Sequence, residues 1–363
     1  MWVLHICHSY YPPFLDCARQ YNALFKGTGY KVRTVYLTGE QDADVARDTC
    51  SDETVFLGYK SKQVRGLKLG AIAKIRAIAK EKDFSFCITH RVKPTYVALL
   101  ATNLPIISVH HNYNDYSRWS RRLLVNYYQN RLLMLGVSNA VRDDLRRDLT
   151  GWGTERIQTL YNHIDVAVTQ TAMKSKSKAR LALNLPQDAY IIGNVGRLHH
   201  DKDQATLIKG FHQALPQLPA NSLLYIAGKG PLEAELRQQV KALQSSSKVI
   251  FAGNVPDAKQ HFKAFDVFAL TSDREPFGMV LLEAMAAKLP IICSDCGGGA
   301  EIVREQAEMF EFGSVAALSQ AMQKIAGQNN TNKVKESTQK LNATFSDQAV
   351  QEQFWNIGFL KEL

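Results

Sequence analysis

The chain has 363 residues, 45 % of them hydrophobic, and a formal net charge of +10. That length exceeds one ordinary core and suits two domains of about 150–200 residues each, and no apolar run reaches the roughly eighteen residues needed to cross a bilayer. Residues 1–165 hold about +8 of the charge, so an anionic partner is expected for the N-terminal half.

The first stretch, MWVLHICHSYYPPF, lacks a basic start, a long apolar middle and a small-residue cleavage site, so it reads as a buried strand rather than an export signal. Further strands are expected at KVRTVYL, TVFLG, FSFCIT, PIISVH and LMLGVS, with amphipathic runs between them. Polar and basic residues in LYNHIDVAVTQTAMKSKSKARLALNLP then interrupt the pattern and read as a linker or hinge. The rhythm resumes with YIIGNVG, SLLYIAG, KVIFAG, VFALTS and PIICSD. Alternation of this kind predicts parallel sheets covered by helices. The expected fold is α/β, two Rossmann-like doubly wound domains facing a cleft. The expected domains are 1–165 and 166–348, with a C-terminal helix over about 349–363 packing back on the first. The stretch QNNTNKVKESTQK reads as a surface loop running into a solvated helix.

Six cysteines are scattered, mostly in apolar runs, which fits a reducing cytoplasm. Cys293 and Cys296 form a CxxC, but a zinc site needs a second pair, and a strand end is the simpler reading.

In open parallel sheets ligands bind beyond the carboxyl ends of the strands, so the chemistry is expected on the loops after strands. Arg197 and Lys202 follow YIIGNVG and suit two adjacent phosphates, one by forked donors and one as a point charge; a solvated loop with ordinary cations reads equally well. Lys229 stands between Gly228 and Gly230, which permit close backbone approach to a ligand or a plain turn. In EPFGMVLLEAMAAK a helix is expected with Pro276 near its first turn, Glu275 just outside it, and the amides of Phe277, Gly278, Met279 and Val280 at its anion-attracting start. Glu283, eight residues on, is expected on roughly the same face, set deeper. A buried carboxylate needs a partner; vicinal ribose hydroxyls or an internal salt bridge would each serve.

These residues, in this order, resemble glycosyltransferase family 4, whose members are retaining, nucleotide-sugar-dependent enzymes of the GT-B fold. The resemblance runs from GNVGRLHHDK through GKGPLEAEL, FAGNV and DVFALTSDREPFGMVLLEAMA to GGGAEIV, and LYNHID and LGVSNAVRDDL match the region between the domains. It implies that Arg197 and Lys202 clamp the donor diphosphate, that Glu275 contacts the donor sugar and that Glu283 holds the ribose. By the same resemblance Val255 meets the base through main-chain groups, Lys229 lies near the nucleotide, and a histidine after a strand faces the anomeric region. PIISVHH offers His110 and His111, and His110 aligns better. Where the family carries a Gly-Gly pair after the first strand, this chain has SYYPPFLDCARQY with Asp16, so either backbone access to the donor phosphate is expected to be lost there or the acceptor pocket to be reshaped.

The expected function is therefore metal-independent transfer of a hexose-type sugar, with a UDP-sugar favoured as donor substrate and no cofactor. The chain is most like bacterial lipopolysaccharide core glycosyltransferases. Its expected acceptor is a saccharide or glycolipid, and the basic stretches KSKQVRGLKLGAIAKIRAIAKEKD and RWSRRLLVNYYQNRLLML suit an anionic membrane surface or ordinary solvated helix faces. The expected location is the cytoplasm, with the inner face of the cytoplasmic membrane as its extension. Asp42, Asp44, Asp201 and Asp203 have the spacing of metal-binding aspartates, but no metal is expected. A GT-B epimerase, a phosphorylase or a non-catalytic nucleotide-sugar-binding homologue are the alternatives. No nucleic acid is expected, because a nucleic-acid-binding module is missing.

Overall fold

The computed structural model describes residues 1–11 and 14–361. Pro12 and Pro13 of the expected Gly-Gly-replacing loop, and the last two residues of the expected C-terminal helix, lie outside the described residues.

The chain divides into two compact units. One comprises Met1–His163 with Asp347–Leu363, and the other Ile164–Ser346. The first is built on seven strands: β1 Trp2–Cys7, β2 Lys31–Thr38, β3 Glu53–Tyr59, β4 Phe84–His90, β5 Ile106–His110, β6 Leu132–Gly136 and β7 Ile157–Thr159. The second has six: β8 Tyr190–Val195, β9 Ser222–Ala227, β10 Val249–Gly253, β11 Val267–Leu270, β12 Ile291–Ser294 and β13 Glu308–Phe310. Every strand pairing is parallel. The sheet orders are β3-β2-β1-β4-β5-β6-β7 and β10-β9-β8-β11-β12-β13.

Helices cover these strands because each connection between parallel neighbours must cross over. The central strands are accordingly apolar on both faces. In the first unit Val3, Leu4, Ile6, Ile88, Ile107 and Leu133 are fully buried. In the second, Ile192, Leu224, Ile226, Ala269 and Ile292 pack with Leu207, Phe211 and Leu318 from the covering helices. The two strands absent from the sequence reading, β7 and β13, are three residues each and close one edge of each sheet, too short to carry a readable period.

Three local expectations are corrected. The expected linker is folded into the second unit as helices Val166–Ala172 and Lys176–Ala182. Arg180 anchors it: its guanidinium, 2 % exposed, donates to the Ala264 carbonyl at 2.9 Å and to Asp266 Oδ2 at 2.7 Å. The expected C-terminal helix is two, Asp347–Trp355 and Gly358–Lys361. Trp355 ties them to the first unit, donating from Nε1 to the Leu24 carbonyl at 3.0 Å and stacking on Tyr30 at 5.2 Å between ring centres. Finally, the helix expected from Pro276 begins at Met279, after Gly278 at φ +94°.

Candidate functional site

In the second sheet the chain enters at β8, runs outward through β9 and β10, then returns to β11 on the other side of β8. Such a reversal sends the loops after the two central strands in opposite directions and opens a crevice at their carboxyl ends. The loop after β8 carries Arg197 and Lys202, and the loop after β11 carries Ser272 and Glu275.

Two main-chain ties dock these loops. Thr271 donates its hydroxyl to the Lys202 carbonyl at 2.8 Å, and the Asp273 amide donates to the Asp201 carbonyl at 3.1 Å. The result is a salt bridge of 2.5 Å between Lys202 Nζ and Glu275 Oε2, whose side chains are 17 % and 12 % exposed. Ser272 Oγ donates to the same carboxylate oxygen at 3.2 Å. The Ser272 carbonyl in turn accepts from Ser294 Oγ at 2.6 Å and from Cys296 Sγ at 2.9 Å. The Gly298 amide donates to the Glu275 carbonyl at 2.7 Å. A carboxylate this far from water is held by charge and hydrogen bonds together. Ser272 and Ser294, which complete the brace, were legible only as strand-end polar residues.

The depth order of the two glutamates is the reverse of the expectation. Glu275 is buried and Glu283 is half-buried. The helix starts at Met279, so the eight-residue spacing spans a loop and about one helical turn rather than two. Phe277 is buried with its ring edge-on to Phe345 at 6.0 Å, while Met279 and Val280 are half-buried at the helix start. Arg197 does not share the depth of Lys202: its side chain is 72 % exposed and its guanidinium lies 3.6 Å from Asp201 Oδ2.

Gly228 and Gly230 allow two loops to touch. A Cβ on Gly228, at φ +141°, would lie 1.9 Å from the Gly196 carbonyl oxygen, and one on Gly230 would lie 2.1 Å from that of Leu198. The two glycines let the loops after β8 and β9 lie on one another, joined by Gly196 N to Ala227 O at 2.9 Å and Leu198 N to Lys229 O at 3.1 Å. Lys229 is exposed, and Val255 is half-buried in the loop after β10. Arg197, Lys202, Lys229, Val255 and Glu275 thus share the carboxyl edge of one sheet.

The aspartates with metal-like spacing have other partners. Asp42 caps the helix Ala43–Asp48, accepting from the amides of Asp44 and Val45, and Asp44 pairs with Arg47 at 2.9 Å. Asp201 lies 2.5 Å from His199 Nδ1, and Asp203 accepts from the Thr206 amide at 3.2 Å as a helix cap.

In the first unit His110, expected to face the donor, is sealed. Its Nδ1 is 2.7 Å from Asp115 Oδ2 and its Nε2 2.9 Å from Ser108 Oγ, with no exposed surface. Burial raises the Asp115 carboxyl, but the His110 hydrogen bond and the cations of Arg91 and Arg121 outweigh it and hold the group below its usual range. His111 is the partly exposed one of the pair.

His111 also begins a buried chain that the sequence did not announce. Its Nε2 is 2.8 Å from His90 Nδ1, His90 Nε2 is 2.7 Å from His5 Nε2, and His5 Nδ1 is 2.7 Å from Asn22 Oδ1. Asn22 spends its amide hydrogens on Thr34 Oγ1 and the Thr49 carbonyl, so its oxygen accepts and His5 donates from Nδ1. One proton per ring then satisfies the whole chain with all three histidines neutral. Burial is the leading cause in each case, lowering His5 to about 4, His111 to about 3 and His90 well below its ordinary value. Cys7 completes a cluster with His5 and His90. The His5–His90 spacing is that of a hydrogen bond, shorter than the roughly 3.3 Å between two nitrogens on one tetrahedral zinc.

Comparison with known proteins locates two families in the chain. Residues 17–168 match the family described as Glycosyltransferase Family 4, and residues 175–341 match Glycosyl transferases group 1. Among curated proteins, the putative glycosyltransferase EpsF of Bacillus subtilis is 30 % identical over 230 residues, 60 % of this chain and 59 % of that protein. The lipopolysaccharide core biosynthesis glycosyltransferase LpsE of Rhizobium meliloti is 30 % identical over 153 residues, 42 % of this chain and 44 % of its own. The chain thus spans about half the length of these relatives. Among solved structures, a glycosyltransferase from Rickettsia africae superposes with a TM-score of 0.84 at 16 % identity, covering 99 % of this chain and 98 % of that one. Anabaena HepE in complex with UDP superposes at 0.81 with 20 % identity and full coverage of both chains. The parallel sheets with alternating helices are those of the GT-B fold, and the chain carries a family 4 glycosyltransferase domain followed by a group 1 glycosyltransferase domain.

Proposed function

We propose that this protein is a retaining glycosyltransferase that moves a hexose-type sugar from a nucleotide-sugar donor, a UDP-sugar in the favoured case, to a saccharide acceptor without a metal ion. The observation that carries the reading is the braced Lys202–Glu275 pair at the reversal of the second sheet. Before the donor arrives, Lys202 neutralises a buried carboxylate. The incoming diphosphate offers the amine a second anion, and Arg197, extended in solvent, can fold onto the same group. Glu275 then has lone pairs for sugar hydroxyls, and Glu283 for those of the ribose. Breaking the anomeric bond puts negative charge on the leaving diphosphate, which these cations stabilise more than they stabilise the ground state. Retention fits a front-side route in which the leaving phosphate takes the proton of the attacking hydroxyl. Relatives named for lipopolysaccharide core biosynthesis and a structural neighbour solved with UDP support the choice of acceptor and donor class.

The acceptor in this reading is membrane-held. On the helix Trp119–Tyr127, Trp119, Leu123 and Tyr127 are 67 %, 59 % and 82 % exposed. They recur every four residues, so they share one face, with Arg118 and Arg122 adjacent to them in the chain. An apolar stripe rimmed by arginines suits the interface of an anionic bilayer. Among the described residues no helix is long and apolar enough to cross a membrane.

The test is a thermal-shift screen of UDP-, GDP-, ADP- and dTDP-sugars, each with and without EDTA. One donor class should stabilise the wild type, EDTA should not change the shift, and Glu283→Ala should remove it. Absence of any shift would remove the donor reading. With a competent acceptor, an inverted anomeric configuration in the product NMR spectrum would remove the retaining assignment.

A further inference from the structure

The first sheet has its own reversal, between β1 and β4, and its carboxyl edge is unusually basic. Three successive helices start there after β3, β4 and β5. Leu69–Ala79 is preceded by Lys68, Val92–Ala101 by Arg91, and Trp119–Tyr127 by Arg118. None of the three has an acidic residue in its first turn or a side-chain bond at its cap. Lys93, Arg121 and Arg122 add cations within those first turns. Helix starts repel cations and favour anions, and three other helices of this chain follow that rule, with Asp42, Asp165 and Asp203 as caps.

Ring faces and carbonyls hold most of these cations in place, and Asp115 is the carboxylate on which Arg91 and Arg121 act. Lys68 Nζ lies 4.2 Å from the centre of the Tyr96 ring and donates to the Gly66 carbonyl at 2.7 Å. The Arg91 guanidinium lies 5.0 Å from the Phe14 ring, and Arg121 donates to the Asp115 carbonyl at 2.7 Å. Among the described residues, no ion pair involves Lys68, Arg91, Lys93 or Arg121. The nearby carboxylate of Asp115 is taken by His110. Two buried polar atoms at this edge, Arg91 Nε and His8 Nδ1, have no hydrogen-bond partner.

The electrostatics agree with the geometry. Burial lowers Lys93, and Arg65 and Arg121 lower it further; burial lowers Lys68, followed by Lys93 and Arg121. His8 falls to about 4 through burial and then through Lys93 and Arg91. No carboxylate is among the charges acting on these three groups.

We propose that Lys68, Arg91, Lys93 and Arg121 form a binding site for a phosphoryl group on the acceptor, separate from the donor diphosphate site of the second unit. Arg91 and Arg121 supply forked donors and the two lysines supply point charges. The helix starts of Leu69–Ala79 and Val92–Ala101 add amides of the right polarity. What the phosphoryl group belongs to rests on the glycosyl-transfer reading, whereas its binding does not. A phosphorylated saccharide and a phospholipid headgroup share this chemistry, and the site is assigned to the saccharide.

The experiment is calorimetric titration of the full chain with glucose 6-phosphate and with glucose, with and without saturating UDP. Glucose 6-phosphate should bind and glucose should not. Lys93→Gln should weaken that binding at least tenfold and leave UDP binding unchanged, while Lys202→Ala should do the opposite. Lys68→Gln provides the same test if Lys93→Gln does not fold. No binding of glucose 6-phosphate to the wild type, or binding unchanged in both lysine variants, would overturn the proposal. So would loss of affinity for phosphatidylglycerol vesicles with glucose 6-phosphate binding intact, because the cluster would then serve the bilayer. Failure of UDP to bind would sink the donor reading and leave this one standing.

Discussion

Lys202 and Glu275, 73 positions apart, meet at 2.5 Å between the ammonium nitrogen and one carboxylate oxygen, and Ser272 donates to the same oxygen. The pair exists because β8 and β11 are sheet neighbours, and it makes each residue the condition for burying the other.

Lys202→Ala therefore leaves a carboxylate that is 12 % exposed without its cation, while Ser272 still donates to it. Removing one partner of a buried pair costs about 3 kcal/mol. Urea unfolding should show that loss, and the donor-induced thermal shift should vanish. Glu275→Gln should cost less, since the amine left behind can reach solvent. Equal stability of Lys202→Ala and wild type would show that the pair is not a buried one.

Gly228→Ala and Gly230→Ala should each destabilise the second unit by about 3 kcal/mol, because the added Cβ meets a backbone oxygen at 1.9 or 2.1 Å and a backbone cannot step aside as a side chain can. The midpoint of thermal unfolding checks this. Gly327, with nothing within 4 Å of a Cβ, is the control, and Gly327→Ala should leave the midpoint within a degree or two.

Acid should unfold the first unit through its histidine chain. His5, lowered from 6.5 to about 4, is neutral when folded and protonated when unfolded across that window. Protons bound only by the unfolded chain make stability fall as pH drops from 6.5 towards 4, and full stability is present above 6.5. His111 and His90 act in the same direction. For His5 alone the loss is on the order of 3 kcal/mol. Urea midpoints measured from pH 7.5 to pH 5 should fall steeply, and His5→Gln should flatten the slope. A midpoint independent of pH over that range would refute the neutral chain.

Trp119→Ala with Leu123→Ala should weaken binding to phosphatidylglycerol vesicles at least tenfold, since each side chain buries apolar surface worth about 2 kcal/mol at an interface. Neither substitution touches the core, as both residues are more than half exposed, so the unfolding midpoint should not move. Vesicle flotation measures the first and thermal melting the second.

The sequence by itself determined the strands of both sheets, apart from the three-residue edges Ile157–Thr159 and Glu308–Phe310, because a buried parallel strand writes its own apolar run. It also placed Arg197, Lys202, Lys229, Val255 and Glu275 on loops after strands, and hence on one sheet edge, because chain direction is shared by all parallel strands. The tertiary structure decided who meets whom. Lys202 on Glu275, His90 between His5 and His111, and Gly228 beneath Gly196 all join segments far apart in the chain. Such pairings follow from strand order and crossover geometry, which leave no periodic signal in any one segment. The same reason explains the reversed depths of Glu275 and Glu283 and the sealing of His110. Helix periodicity predicts which residues share a face, but a left-handed Gly278 restarts the count, and only the packed neighbours Ser108 and Asp115 decide that an aligned histidine turns inward.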